Sequence, residues 1–544
     1  MKGMLTVQDT DPESAHASAT IPKAIRVLVL ELLGVVTFVQ SILLSVYEWV
    51  RMWWLLLPMK GPFDKVPLVW NLVFHFAITS DGPELDYNVG VFNMVDGLFF
   101  QLRRFKVFKV YLGFTPLVFV TSAEGVAKIL SNTTNISKSV LYDMLEPWMG
   151  NGLLTGSGPS YRMRRKLITP AFHFKFLDVV LPIMEKHAGV FCSRINGVVD
   201  ALSLSQVLGL DIITETAMGI ELNAQLKPDE PYVSAVYRAA NSHMSRTTRP
   251  WLWNDFIFYL SPTGRQFKTA VKEMHKFVDA VIADRVSELK NDPSRATHSF
   301  LDALISMHFL HPIELSTDAI KDEVNTFMFA GHDTTSAAVA FSLYLMGLHP
   351  EVQSKVHEEL DRVFLDAGES ATSDKLRHLH YLEAVIKEAL RLYPSAPIIA
   401  RRIDKEVEIG GHTIPRGATV NLFSYGLHRD PKYFPEPEEF RPERFLRTAG
   451  GQVEDSMRQL PPFAYFPFSG GMRNCVGQKF AMIELKTVLS TVMRRFRLRS
   501  LHKRDELELA IEVIVRPRNG LLIEFRPREG IESRSAKIQV SSSA

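Results

Sequence analysis

The sequence predicts a mainly α-helical domain with a smaller β region, set behind an N-terminal apolar segment. Three observations carry this: long stretches with apolar residues at three- and four-residue spacing, short clustered strand-like runs, and an abrupt change of composition at Ala24. Across 544 residues nothing after the N-terminal region is a Gly/Ser- or Pro-rich linker, so one large domain, 83–530, is expected. The formal net charge of +2 gives no bulk electrostatic reason for a nucleic-acid partner. The only cysteines, Cys192 and Cys475, exclude a disulfide framework and a multi-cysteine zinc or iron–sulfur site, and reducing cytosol suits the bulk of the chain.

Residues 1–23 are polar, and 24–57 read as a membrane anchor. The stretch 27–47 is about long enough to cross a hydrocarbon core of roughly 30 Å, and Trp49, Trp53 and Trp54 suit one interface. Glu31 and Gln40 interrupt it, so an amphipathic helix lying in the interface is the alternative. No small-residue cleavage site closes the run, which fits a removable signal poorly. Residues 58–82 form a linker whose apolar stretch, 66–78, is too short to span but can dip into the same surface.

Helical spacing covers 183–218 and 264–291. Ser316-Thr317-Asp318 opens one unusually long helix that runs to Gly347, where Leu348-His349-Pro350 stops it. Strands are expected in 407–423 around turns at Gly410-Gly411 and Pro415-Arg416-Gly417, and a second hairpin near Asn519-Gly520. The serine-containing tail, 531–544, has no apolar face and is expected to be disordered.

The strongest chemical signal is the segment from Phe468 to Gly477, in which Cys475 sits in a glycine-rich loop before a helical pattern starting at Gln478. A helix start and nearby backbone N–H groups favour thiolate over thiol, the form that ligates iron. Glycines at 470, 471 and 477 would let the backbone approach a flat cofactor, and Arg473 could pair with an anionic group on it. The bland alternative is a buried free cysteine beside a tight turn. In the long helix, Ala330-Gly331-His332-Asp333-Thr334-Thr335 places residues that are poor helix formers at its middle, where a hydroxyl bonding one turn back can open a groove. His332, His412 and His428 are taken as non-ligands, the usual case for lone histidines.

Phe468, Gly471, Arg473, Cys475 and Gly477 match, position for position, the cysteine-loop signature of cytochromes P-450, and the chain resembles that family over 81–527. The resemblance implies the P-450 fold, a long helix over the haem, and Cys475 as iron ligand. It implies Thr334 as hydrogen-bond support for oxygen and Asp333 as a proton relay, with Ala330 and Gly331 beside the cofactor. Glu388 and Arg391 on one helix, with Arg444 downstream, would form a buried charged network behind the haem. Arg165, Arg401 and Arg473 would hold its propionates, as would Tyr161, which stands where the family usually has tryptophan. Arg162, Arg164 and Lys166 could serve an acidic redox partner or be a solvated helix face.

Several stretches, including Asn151-Gly152-Leu153-Leu154 and Gly477-Gln478-Lys479-Phe480-Ala481, are similar to the fatty-acid omega-hydroxylase branch. The implied activity is a haem-dependent monooxygenase that inserts one oxygen atom of O2 into a C–H bond of a fatty acid or related lipid. Its cofactor would be haem b, and its electrons would come from NADPH through NADPH-cytochrome P-450 reductase, with cytochrome b5 as a further partner. The implied location is the reticulum membrane, catalytic domain on the cytosolic side. Branch members often carry a glutamate that esterifies the haem where this chain has Ala330, so the haem is expected to be non-covalent. A haem-thiolate isomerase or dehydratase that does not use O2, and a non-catalytic haem protein, are the competing readings; the Asp333-Thr334 pair argues against both.

Overall fold

Ser316 starts the helix around which the rest of the domain packs: its hydroxyl accepts from the Ala319 amide at 3.2 Å, which satisfies one orphan donor of the first turn. The central helix, Thr317–Leu348, then runs for 32 residues and ends where Pro350 cannot continue it, as the sequence predicts. It is buried on almost all sides in its second half, so tertiary packing sustains it through the unfavourable Gly331 and Thr334-Thr335. The computed structural model describes Tyr47, 50–52, Leu55, Leu56 and Met59, and then 86–528 apart from 113–114, 173, 228–230, 293–298, 311, 313–314, 367 and 447–454. Most of the expected anchor (24–57) and linker (58–82), and the tail 531–544, lie outside the described residues. Among the described residues no helix is long and apolar enough to cross a membrane.

Before the central helix in the chain lie α1 (Gly158–Ile168), α2 (Phe174–Arg194), α3 (Ala201–Ile213) and α4 (Pro231–Thr248), and α5 (Pro262–Asn291), which packs along α4. The apolar pattern over 183–218 is not one helix. Gly197 at φ +66° and a short strand break it between α2 and α3, and the Asp200 carboxylate caps α3 by accepting from Leu202 N at 3.1 Å. After the central helix come α6 (His380–Leu392) and α7 (Gln478–Arg495), the latter packed on α2.

The central helix and α3 approach closely because each offers a glycine. A Cβ on Gly209 would lie 2.4 Å from Ser336 Oγ and 2.8 Å from the His332 carbonyl, and one on Gly331 would lie 2.5 Å from Ile213 Cδ1. The Ser336 hydroxyl also donates across to Ser205 O at 2.9 Å. Gly331 therefore serves helix packing and faces α3, not the groove that the sequence suggested.

Eleven short strands complete the described residues: β1 (Val107–Leu112), β2 (Thr115–Val120), β3 (Val198–Asp200), β4 (Ile398–Arg402), β5 (Val407–Ile409), β6 (His412–Ile414), β7 (Thr419–Phe423), β8 (Phe496–Ser500), β9 (Leu509–Glu512), β10 (Ile514–Pro517) and β11 (Leu522–Pro527). They form a sheet in the order β1-β2-β7-β4, with β2 and β7 parallel, the hairpins β5-β6 and β9-β10, and a sheet β3-β11-β8. Gly410 and Gly411 both have positive φ, the geometry of the tight β5-β6 hairpin expected at that pair. The expected hairpin at Asn519-Gly520 is corrected: a turn is there, but β10 and β11 join different sheets, and the tight reversal falls at Val513, φ +72°.

The glycine contact gives a stability test. Gly209→Ala is expected to cost about 1–3 kcal/mol, because its methyl meets backbone that cannot move aside. Denaturant unfolding checks this; an unchanged midpoint would remove the close-packing argument.

Candidate active site

Cys475 and the middle of the central helix face each other across a cavity of about 420 Å³ whose remaining wall is mostly aliphatic and aromatic. Ala330 and Thr334 line it, and Gly331 and Asp333 do not. The cysteine loop is fixed from within by Cys475 N donating to Phe468 O at 2.9 Å. Gly471, at φ +64°, lies so near Leu130 that a Cβ would be 1.8 Å from its carbonyl oxygen; that glycine is required by the protein itself. A Cβ on Gly477 would meet nothing, so space at that position is open. The exposed Cys475 side chain opens onto this cavity. Burial pushes its thiol up, while the Gly477 N–H and Arg165 pull the other way. The helix start thus acts in the expected direction but does not by itself yield a thiolate. A metal ion on the sulfur would.

One end of the cavity is cationic. Lys138, Arg165, Arg401 and Arg473 all line it. Burial and the neighbouring Arg401 and Arg473 hold the Lys138 ammonium well below its usual range, and Arg401 is lowered by burial, with only Tyr142 and Tyr161 opposing. Arg473 is brought down to about 10 by burial, and it spends its guanidinium on carbonyls: Ile136 at 2.9 Å, Leu153 at 3.3 Å and Gly156. Arg165 donates to Asn474 O at 2.8 Å and to its side-chain oxygen at 2.6 Å. None of the groups acting on Lys138 or Arg401 is a carboxylate. Buried cations so arranged favour an anionic ligand strongly. The two propionates of a haem fit that end, with Cys475 able to reach its iron. Tyr161 lines the cavity beside these cations; its hydroxyl donates to Met472 O at 2.9 Å and its ring lies under the Arg473 guanidinium, 3.6 Å away, so it also props the loop.

On the opposite wall the Thr334 hydroxyl donates to Ala330 O at 2.6 Å, and Thr335 donates to Gly331 O at 2.7 Å, each bonding one turn back. Asp333 points elsewhere. It is fully buried, and its Oδ2 accepts from Arg516 of β10 at 2.5 Å. Arg516 in turn lies near Glu512, which Arg518 also pairs with. His332 is buried, and burial lowers it to about 4; His428 accepts from Phe466 N at 3.0 Å; His412 is on β6. None of the three faces Cys475 across the cavity.

Behind the loop, Arg391 forks onto both oxygens of Glu388 at 2.7 and 2.8 Å and reaches the carbonyls of His428, Pro437 and Glu439. Arg444 lies 3.4 Å from Glu388, and all three are wholly buried. Of Arg162, Arg164 and Lys166 on α1, Arg164 turns inward to Asp322 and Glu323 at 3.4 and 3.3 Å, so it is no part of an exposed patch.

Sequence reasoning missed Lys138, Arg516 and Glu484. Glu484 of α7 is buried against the Thr335 hydroxyl, and burial pushes its carboxyl up to about 8. An acid inside the apolar run from Phe480 to Leu489 was the available signal. Because the folded protein holds this proton more tightly than the unfolded chain, its stabilising effect is present at low pH and is lost as pH rises from 4.5 through about 8. Glu323, raised to about 7, has the same sign. Glu484→Gln should therefore flatten, without abolishing, the fall in thermal midpoint between about pH 5 and 8. Parallel slopes for the two proteins would contradict the assignment.

The comparisons with known proteins agree with this geometry. The cytochrome P-450 family model matches residues 87–525. The chain is 42% identical over 445 residues to cytochrome P-450 4V2 of Mus musculus, covering 79% of this chain and 83% of that protein. It is 39% identical over 513 residues to cytochrome P-450 4V2 of Homo sapiens, covering 91% and 95%. It is 39% identical over 450 residues to cytochrome P-450 4c3 of Drosophila melanogaster, covering 78% and 83%. With a lone cysteine facing a threonine across an apolar cavity, and a cationic end suited to a haem, the chain belongs to the cytochrome P-450 family of haem monooxygenases.

Proposed function

We propose that this protein hydroxylates a fatty acid or related lipid, using O2 and electrons from NADPH delivered by NADPH-cytochrome P-450 reductase, with cytochrome b5 as an accessory donor. The observation that carries the reading is the cavity itself: Cys475 and Thr334 on facing walls, and aliphatic and aromatic side chains over most of the rest. A long apolar chain is the ligand that such walls favour, at roughly 25 cal/mol per Å² buried.

Haem b, when bound, supplies the electron-transfer and oxygen chemistry. Cys475 would ligate its iron, and Arg165, Arg401, Arg473 and Lys138 would pair with its propionates. The Thr334 hydroxyl lines the cavity and can give its hydrogen to oxygen by releasing the Ala330 carbonyl. Asp333 keeps Oδ2 on Arg516 and Oδ1 without a partner, and since it does not line the cavity its carboxylate would have to turn to pass a proton there. The apolar wall keeps bulk water from the reacting bond. A membrane-bound life at the reticulum surface is supported by an exposed apolar group between α4 and α5: Trp251, Phe256, Ile257 and Leu260. Arg246 shapes that segment by donating to Leu252 O and Trp253 O at 3.1 and 3.0 Å.

Carbon monoxide added to reduced wild type is expected to give the strongly red-shifted Soret band of thiolate ligation, and Cys475→Ser to lose it; a retained band would remove Cys475 from the iron. Thr334→Ala is expected to keep its haem yet release more peroxide per NADPH consumed with the reductase and a fatty acid. Unaltered coupling would contradict the role of Thr334.

With Ala330 at the position that offers an ester-forming carboxylate in related enzymes, acidified organic solvent should strip all the haem from the chain. A haem-sized mass increase on the denatured polypeptide would show a covalent link.

A further inference from the structure

The cavity has a second polar feature that the haem reading leaves unused. His243 of α4 is 7% exposed and lines the cavity, and its Nδ1 has no hydrogen-bond partner. The other ring nitrogen, Nε2, lies 3.4 Å from the Thr247 hydroxyl, which fixes the ring from the next turn. Thr247 and Thr248 line the same wall. Arg246, buried between them, is held on the carbonyls of Leu252 and Trp253 and is paired with the Asp255 carboxylate, so it fixes the end of α4 beside the ring. Burial and Arg246 lower the imidazole to about 3, so it is neutral at physiological pH. In the tautomer that accepts from the Thr247 hydroxyl at Nε2, the hydrogen is on Nδ1, which has no partner within the protein and can donate to a ligand.

We propose that His243 is the head-group anchor of the substrate site: its Nδ1–H donates to the carboxylate of a fatty acid, and the chain lies along the apolar wall toward Thr334 and Cys475. The inference rests on the lipid-hydroxylase reading and goes beyond it by fixing which end of the lipid is held. Three other unpartnered polar atoms belong to residues that line the cavity, Thr326 Oγ1, Asn421 Nδ2 and Ser469 Oγ. None of the three is on α4, whose C-terminal end leads into the exposed apolar segment of Trp251, Phe256, Ile257 and Leu260. An anchored head confines oxidation to the far end of the chain. A chain without an anchor slides and is oxidised at several carbons.

The test is a spectral titration of the holoenzyme with dodecanoate and with dodecane, for wild type, His243→Leu, His243→Gln and Asn421→Leu. His243→Leu should weaken dodecanoate by about tenfold or more and leave dodecane within about twofold. His243→Gln, which keeps a donor, should recover most of the dodecanoate affinity, and hydroxylation by His243→Leu should spread inward along the chain. Equal losses for both ligands would mean a structural role, and no loss, or a loss confined to Asn421→Leu, would overturn the anchor while leaving the lipid reading intact. Wild type that binds dodecane but not dodecanoate would contradict the fatty-acid reading and the anchor together.

Discussion

Arg473 is a buried cation whose hydrogen bonds go to backbone carbonyls and to the Ser157 hydroxyl, and the site depends on that arrangement. By gripping Ile136, Leu153 and Gly156 it ties the cysteine loop to the chain that precedes α1, while Tyr161 stacks beneath it and Arg165 holds Asn474 from the other side. The loop is thereby positioned by distant segments, not by its own helix. The electrostatic consequence is an uncompensated positive end of the cavity, shared with Lys138 and Arg401. An anion bound there would relieve a desolvation penalty that the protein alone leaves standing, so cofactor binding and stability of this region are linked.

The Glu388–Arg391–Arg444 network does a different job with the same chemistry. Its two arginines share one carboxylate, Glu388, and its arms reach the carbonyls of His428, Pro437 and Glu439, so it fastens the segment leading to the loop. Removing one partner would strand a buried charge, which costs far more than the pair contributes. The contrast between the two clusters separates scaffold from site: one closes around a carboxylate of its own, while no carboxylate acts on Lys138 or Arg401.

The long helix was legible because Ser316 and Pro350 mark its ends in a local code, and the β5-β6 turn because Gly410-Gly411 can adopt positive φ without cost. The Cys475 loop was legible through its motif. What the sequence hid was direction. Asp333 and Thr334 are neighbours in the chain, yet the helical turn sends one to Arg516 and the other to the cavity. Gly331 looked like part of the groove, but its partner is Ile213, more than a hundred residues away in sequence. Lys138, Arg516 and His243 carry no local signal, because their roles arise from tertiary neighbours. The break between α2 and α3 was missed since apolar spacing continues through it and only Gly197 interrupts.

The relative positions of sulfur, cations and Thr334 lead to one central claim, that Cys475 binds the iron of a haem held by the cationic end. Iron K-edge X-ray absorption on the purified protein tests it most directly. The account predicts one sulfur scatterer in the first shell of the iron, absent in Cys475→Ser; a first shell of nitrogen and oxygen alone in wild type would contradict it.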